Sequence, residues 1–64
     1  MGGDFKAPLC DILRENGCEL KRQGNKHEVW YSPRSNRSFT VPRSIQSRHT
    51  ANGILKQAGI AHRL

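Results

Sequence analysis

A chain of 64 residues has room for one domain around one thin core, and it excludes an additional catalytic module. Its 11 Lys and Arg outweigh 5 Asp and Glu, and the resulting net charge of +6 is scattered from Lys6 to Arg63. A disordered basic tail would concentrate that charge in a block. Scattered charge points instead to a folded domain with a positive surface, whose partner is nucleic acid, an anionic membrane or an acidic protein.

The first element is marked by its breaks. Pro8 fits the first helical position, where its missing N–H costs nothing. Leu9, Ile12 and Leu13 repeat at helical spacing, while Asp11, Arg14 and Glu15 take the wet side. Asn16-Gly17 ends the run, with Gly17 as a left-handed C′ residue. These signals predict a short helix from Pro8 to Asn16, marginal alone and held by packing on a sheet.

Three strands are predicted next. Cys18-Glu19-Leu20-Lys21-Arg22 alternates apolar and charged residues, and Gln23-Gly24-Asn25-Lys26 is a polar turn. Glu28-Val29-Trp30-Tyr31 is the strongest β-favouring run in the chain. Ser32 to Asn36 forms another turn, and Arg37-Ser38-Phe39-Thr40-Val41 alternates until Pro42 stops it. Two short loops between three strands imply an antiparallel meander whose apolar face the helices must cover.

The last helix carries Ala51, Ile54, Leu55 and Ala58 as its stripe, with Ser47 as N-cap and Gly59 as terminator. Gly53 inside it costs about 1 kcal/mol against alanine, tolerable if the helix backbone approaches the sheet closely. Ile60 folds back onto the core, and Ala61 to Leu64 read as a frayed basic end. The expected product is a single α+β domain over residues 1–64, ordered α-β-β-β-α, with both helices on one face of a three-stranded antiparallel sheet. Its expected core is Leu9, Ile12, Leu13, Leu20, Val29, Phe39, Val41, Ile54, Leu55 and Ile60.

Several function classes are disfavoured. Cys10 and Cys18 form no CxxC and the other donors are isolated, so no zinc pattern exists and no metal or cofactor is expected. Both cysteines read as small apolar residues, although the sequence leaves a disulfide between them open. No apolar run approaches the roughly 20 residues that span a bilayer. The Met1-Gly2-Gly3 start carries neither a secretory h-region nor the length of a transit peptide, so a cytoplasmic protein without a membrane partner is expected.

His27 stands at the entrance to the strongest strand, inside the basic stretch from Lys21 to Tyr31. Imidazole exchanges a proton near neutral pH, and flanking bases can hold a polyanion against it. An inert surface histidine at a hairpin edge is the simpler alternative. Trp30 and Tyr31 are candidates for contact with single-stranded bases or a partner protein, with core packing as the competing role. Alternation requires that one of Val29 and Trp30 face away from the helices.

Taken in order, these segments resemble the HicA-type toxins, mRNA interferases of bacterial type II toxin–antitoxin pairs. The resemblance runs from about Phe5 to Ile60. It rests on a first helix ending in Asn16-Gly17, the Lys21-Arg22-Gln23 turn, His27-Glu28-Val29-Trp30, Ser32-Pro33, Phe39-Thr40-Val41-Pro42, and Gly53-Ile54-Leu55-Lys56-Gln57-Ala58-Gly59-Ile60. It implies a double-stranded-RNA-binding-domain-like fold, cleavage of mRNA without a metal, and a HicB-type antitoxin that covers the active site in the bacterial cytoplasm. The usual Gly-Ser-His motif reads Asn25-Lys26-His27 here, with the glycine one place earlier at Gly24. Asn25 in a left-handed conformation, with Gly24 relaxing the turn, would compensate.

RNA carries its own nucleophile, the 2′-hydroxyl, beside the scissile phosphate. Cleavage needs a base near that hydroxyl, positive charge on the phosphate and a proton source for the leaving oxygen. His27 is the expected general base, and Lys21, Arg22 and Lys26 are the expected phosphate contacts, with Lys26 best placed for charge developing in the transition state. The general acid is not assigned: His49 sits near a helix start, unfavourable for imidazolium, and His62 near the end of the chain. The main alternative is a non-catalytic RNA-binding domain of the same fold. A DNA reader would have only Arg48, Asn52, Lys56 and Gln57 on the last helix, and a structural adaptor would leave His27 without a role.

Overall fold

The first helix, α1 (Lys6–Glu15), starts two residues before Pro8, which is therefore its third residue. The shift costs nothing, because the first four N–H groups of a helix have no partner inside it. Asp4 supplies the missing acceptor, its Oδ1 taking the Lys6 N–H at 2.9 Å and the Ile45 N–H at 3.3 Å. The Phe5 N–H donates to the Ile45 carbonyl at 2.7 Å, so this end is stitched to the loop before the last helix. This computed structural model describes residues 4–64; the Met1-Gly2-Gly3 start considered above lies outside them.

The strands are β1 (Glu19–Gln23), β2 (His27–Ser32) and β3 (Arg37–Pro42), followed by α2 (Arg48–Gln57). They form an antiparallel sheet in the order β1-β2-β3. Both helices end alike. Gly17 at φ 83° and Gly59 at φ 75° take the left-handed position after the cap residue. The next N–H reaches back to Leu13 at 2.9 Å in α1 and to Leu55 at 3.0 Å in α2. Both closures follow the Schellman pattern, and the residues they deliver, Cys18 and Ile60, are buried.

Alternation along β2 decides the faces. Glu28, Trp30 and Ser32 are buried, whereas His27 is exposed and Val29 and Tyr31 are half-buried. Trp30 pairs with Phe39 and Glu28 with Val41, so these residues share the helix-covered face. Leu9 and Leu13 from α1, and Ala51, Ile54 and Leu55 from α2, join Trp30, Phe39, Val41 and the loop residue Ile45 in one core. The expected α+β architecture, double-stranded-RNA-binding-like with both helices on one face, is the observed one.

Several expectations need correction. Trp30, at 1% exposure, takes the inward place expected for Val29, because its parity on β2 faces the helices. Leu20 is 42% exposed: it lies on β1, an edge strand that the two short helices leave uncovered. That edge is blunted by charge and by a register shift between Leu20 and Arg22 that leaves Lys21 bulged. Ser47 occupies the N-cap of α2 without a side-chain capping bond. Gly53 is exposed, and a Cβ there would meet nothing within 4 Å, so close packing on the sheet does not explain it. The segment after Ile60 is not frayed: the Leu64 N–H donates to Asn52 Oδ1 at 2.7 Å, and the Leu64 side chain packs against the core. Cys10 and Cys18 are free and buried, and burial pushes the Cys10 thiol up.

Candidate active site

His27 opens the central strand, and a compact turn delivers it. The Gly24 N–H donates to the His27 carbonyl at 2.8 Å, and a Cβ at Gly24 would stand 3.1 Å from that oxygen. The close approach accounts for a glycine here. Asn25 does not take the left-handed conformation expected of it; among the described residues Asn36, at φ 57°, is the non-glycine that does. Arg43 holds the turn from outside instead. Its backbone N–H donates to the Lys26 carbonyl at 3.1 Å and its Nη1 to the Asn25 carbonyl at 3.0 Å. Arg43 was not evident as a site residue from sequence. The signal was available only through pairing: His27 lies opposite Pro42, so the next residue must meet the hairpin turn.

The sheet face away from the helices carries His27, Val29 and Tyr31 from β2, with Ser38, Thr40 and Pro42 opposite on β3. Arg22 pairs with Val29 and so lies diagonally across from His27 on the same face. Lys26 precedes His27 in the turn and is exposed. No ion pair among the described residues engages Arg22 or Lys26. Lys21 is placed differently. It contacts Glu19 at 3.0 Å and lies 5.8 Å from the Tyr31 ring centroid, four residues or about 13 Å along β2 from His27. The Tyr31 hydroxyl bonds Asn36 Oδ1, fixing the ring at that far end. Trp30 lies beneath the sheet, where a buried ring has no face to offer a base. Neither His49 nor His62 joins His27; both line a groove beside α2, on the helix side of the sheet.

Glu28, the next residue along, points inward and anchors the strand. It is 7% exposed, with the Trp30 indole N–H donating to Oε1 at 2.9 Å and the Lys6 ammonium to Oε2 at 3.0 Å. Burial pushes the Glu28 carboxyl up. The hydrogen bonds from Trp30 and Lys6, with the charges of Lys6 and Arg43, outweigh that and leave it below its ordinary 4.5. Adjacent residues thus take opposite tasks: Glu28 locks β2 to α1, and His27 faces solvent on the uncovered side.

Among families of known proteins, the model of the HicA toxin of bacterial toxin–antitoxin systems matches residues 8–60. The chain belongs to the HicA toxin family. It is therefore a toxin of a toxin–antitoxin system, and membership implies a HicB antitoxin as its partner. The match takes in the turn, all three strands and the whole of α2, so His27 and its surroundings lie inside it. No curated protein and no solved structure matches the chain. None of the helices described for this HicA-family toxin is long and apolar enough to cross a membrane.

Proposed function

We propose that this toxin is an endoribonuclease that cleaves mRNA in the bacterial cytoplasm without a metal, using His27 as general base. The observation that carries the reading is the placement of an exposed imidazole on an uncovered sheet face, with Arg22 diagonal to it and Lys26 beside it. His27 removes the proton of a 2′-hydroxyl, and that oxygen attacks the adjacent phosphorus. The bond to the 5′-oxygen then breaks as that oxygen takes a proton from solvent water, leaving a 2′,3′-cyclic phosphate and a 5′-hydroxyl, and the imidazolium returns its proton to the hydroxide so formed. Arg22 and Lys26 stabilise charge developing on the phosphate, and Lys21 contacts the strand further along the face. The nucleophile is part of the substrate, so no metal-bound water is needed for this step. Tyr31, half-buried on the same face, is a contact for RNA or for the antitoxin.

The HicB-type antitoxin silences the toxin by covering His27 and its neighbouring bases, a surface on which complementary charge speeds and orients docking. A complex in which His27 stays open to solvent while RNA is still cut would contradict this. Catalysis is tested with native and H27A proteins on single-stranded RNA in EDTA, followed by identification of the product ends. H27A retains the fold and loses cleavage, and a 2′-deoxy sugar at the cut site blocks the native protein. Equal activity of H27A, or equal cleavage of the deoxy substrate, refutes the mechanism. RNA binding without any cleavage by the native chain favours a non-catalytic RNA-binding domain.

A further inference from the structure

The charge of this chain is divided unevenly along the sequence. Residues 1–28 hold 5 Lys and Arg and all 5 Asp and Glu, whereas residues 29–64 hold 6 Lys and Arg and no carboxylate side chain. The ion pairs among the described residues all lie in the first part, between Lys6 and Glu28, Arg14 and Asp11, and Lys21 and Glu19. The entire net charge therefore belongs to residues 29–64, which form most of β2, then β3, α2 and the segment after it.

In that half two adjoining hollows that share Asn52, Lys56 and Arg63 form a groove along α2, one adding His49 and Gly53 and the other His62. It is a built feature. Asn52 clasps Leu64 through both its amide oxygen and its amide nitrogen, at 2.7 and 3.4 Å, and this holds Arg63 beside the helix. Gly53 leaves bare backbone on the groove wall, at a cost to the helix that no packing contact repays. A ligand approaching closely there would give that glycine a reason.

We propose that this groove is a second phosphodiester-binding site, which holds the single-stranded RNA flanking the position where His27 acts. The proposal rests on the reading of RNA as substrate and extends it to a surface outside the His27 face. Topology connects the two. β3 leaves the sheet at Pro42, opposite His27, and the Arg43–Ser47 loop leads directly to Arg48 and His49 at the start of α2. Arg43 at the histidine end and Lys56 and Arg63 in the groove are the bases at the two ends of that path, while Arg48 between them stands 6.0 Å from the Phe5 ring centroid. An acidic protein fits less well. Protein interfaces are anchored by large side chains seated in desolvated pockets, and this groove offers no aromatic ring for one, whereas contacts to a phosphodiester backbone need only positive charge and N–H donors.

The test measures binding of a short single-stranded oligoribonucleotide to H27A protein, so that the probe survives. Adding K56A and R63A, both exposed positions, weakens binding roughly tenfold and lowers the log–log salt slope by about 1.4, two phosphate contacts at about 0.7 each. R14A with R37A removes the same charge elsewhere and has a much smaller effect. With His27 intact, K56A/R63A cuts a dinucleoside monophosphate as the native protein does, because so short a substrate cannot reach the groove, while cleavage of long RNA falls. Equal losses for the two double variants, or no loss in either, overturn the groove. So does retained RNA affinity with lost antitoxin binding, which would make it a protein dock. Failure of the native protein to cleave refutes the catalytic reading alone, since the binding comparison still reports on the groove.

Discussion

Lys6→Met tests how the histidine strand is anchored. Lys6 and Trp30 are the two side chains that hydrogen-bond the buried Glu28 carboxylate, one on each oxygen. Methionine keeps most of the Lys6 stem packing and removes the ammonium, leaving a nearly dry carboxylate with one donor. Breaking a fully buried pair costs about 3–5 kcal/mol. The Lys6 side chain is 19% exposed, so water replaces part of the interaction, and the expected loss is about 2–3 kcal/mol. A domain of this length has a total stability of about 3–10 kcal/mol, so the change removes a large fraction of it. Glu28→Gln should cost less, about 1 kcal/mol, because the amide oxygen still accepts from Trp30 and the released ammonium can turn to water. Trp30 is the single tryptophan and is buried, so its fluorescence in urea titrations at pH 7 reports both variants. The sign with pH follows from the lowered Glu28 carboxyl. Its stabilisation is complete above its ordinary value of 4.5 and is lost as pH falls through its lower value in the folded protein, a loss that E28Q lacks. An E28Q variant less stable than K6M at pH 7, or one with an undiminished acid transition, would refute this account of the anchor.

Arg43→Ala should loosen the turn that aims His27, lowering kcat with little change in KM. Hydrogen exchange at the Gly24 amide, bonded to the His27 carbonyl, should accelerate in the same variant, whereas unchanged exchange would mean the turn holds itself. Gly53→Ala should stabilise the protein by up to about 1 kcal/mol, since the added methyl meets open space within a helix. A destabilised G53A in urea titrations would show that the helix needs the glycine for its own packing.

Local signals in the sequence were enough for the elements and their order. Gly17 and Gly59 end the helices where spacing put them, and the turns between strands fall where Gly, Asn, Ser and Pro cluster. His27 at the mouth of the central strand was likewise legible, because the β-favouring run begins beside it. Parity was not. Glu28-Val29-Trp30-Tyr31 offers large side chains on both faces, and only the helices packed on the sheet decided that Trp30 and Glu28 go inside. That choice placed His27 on the open face, and the register shift at Lys21 turned Arg22 onto the same face opposite Val29, while Lys21 itself contacts Glu19 and Tyr31. Arg43 reaches the His27 turn from 16 positions away in the chain, through a strand pairing whose register no local pattern specifies. Composition and periodicity act over a few residues and therefore determined the elements. The membership of the site depends on which faces meet and which carboxylates neutralise which bases, and those distances exist only after the chain has closed on its core.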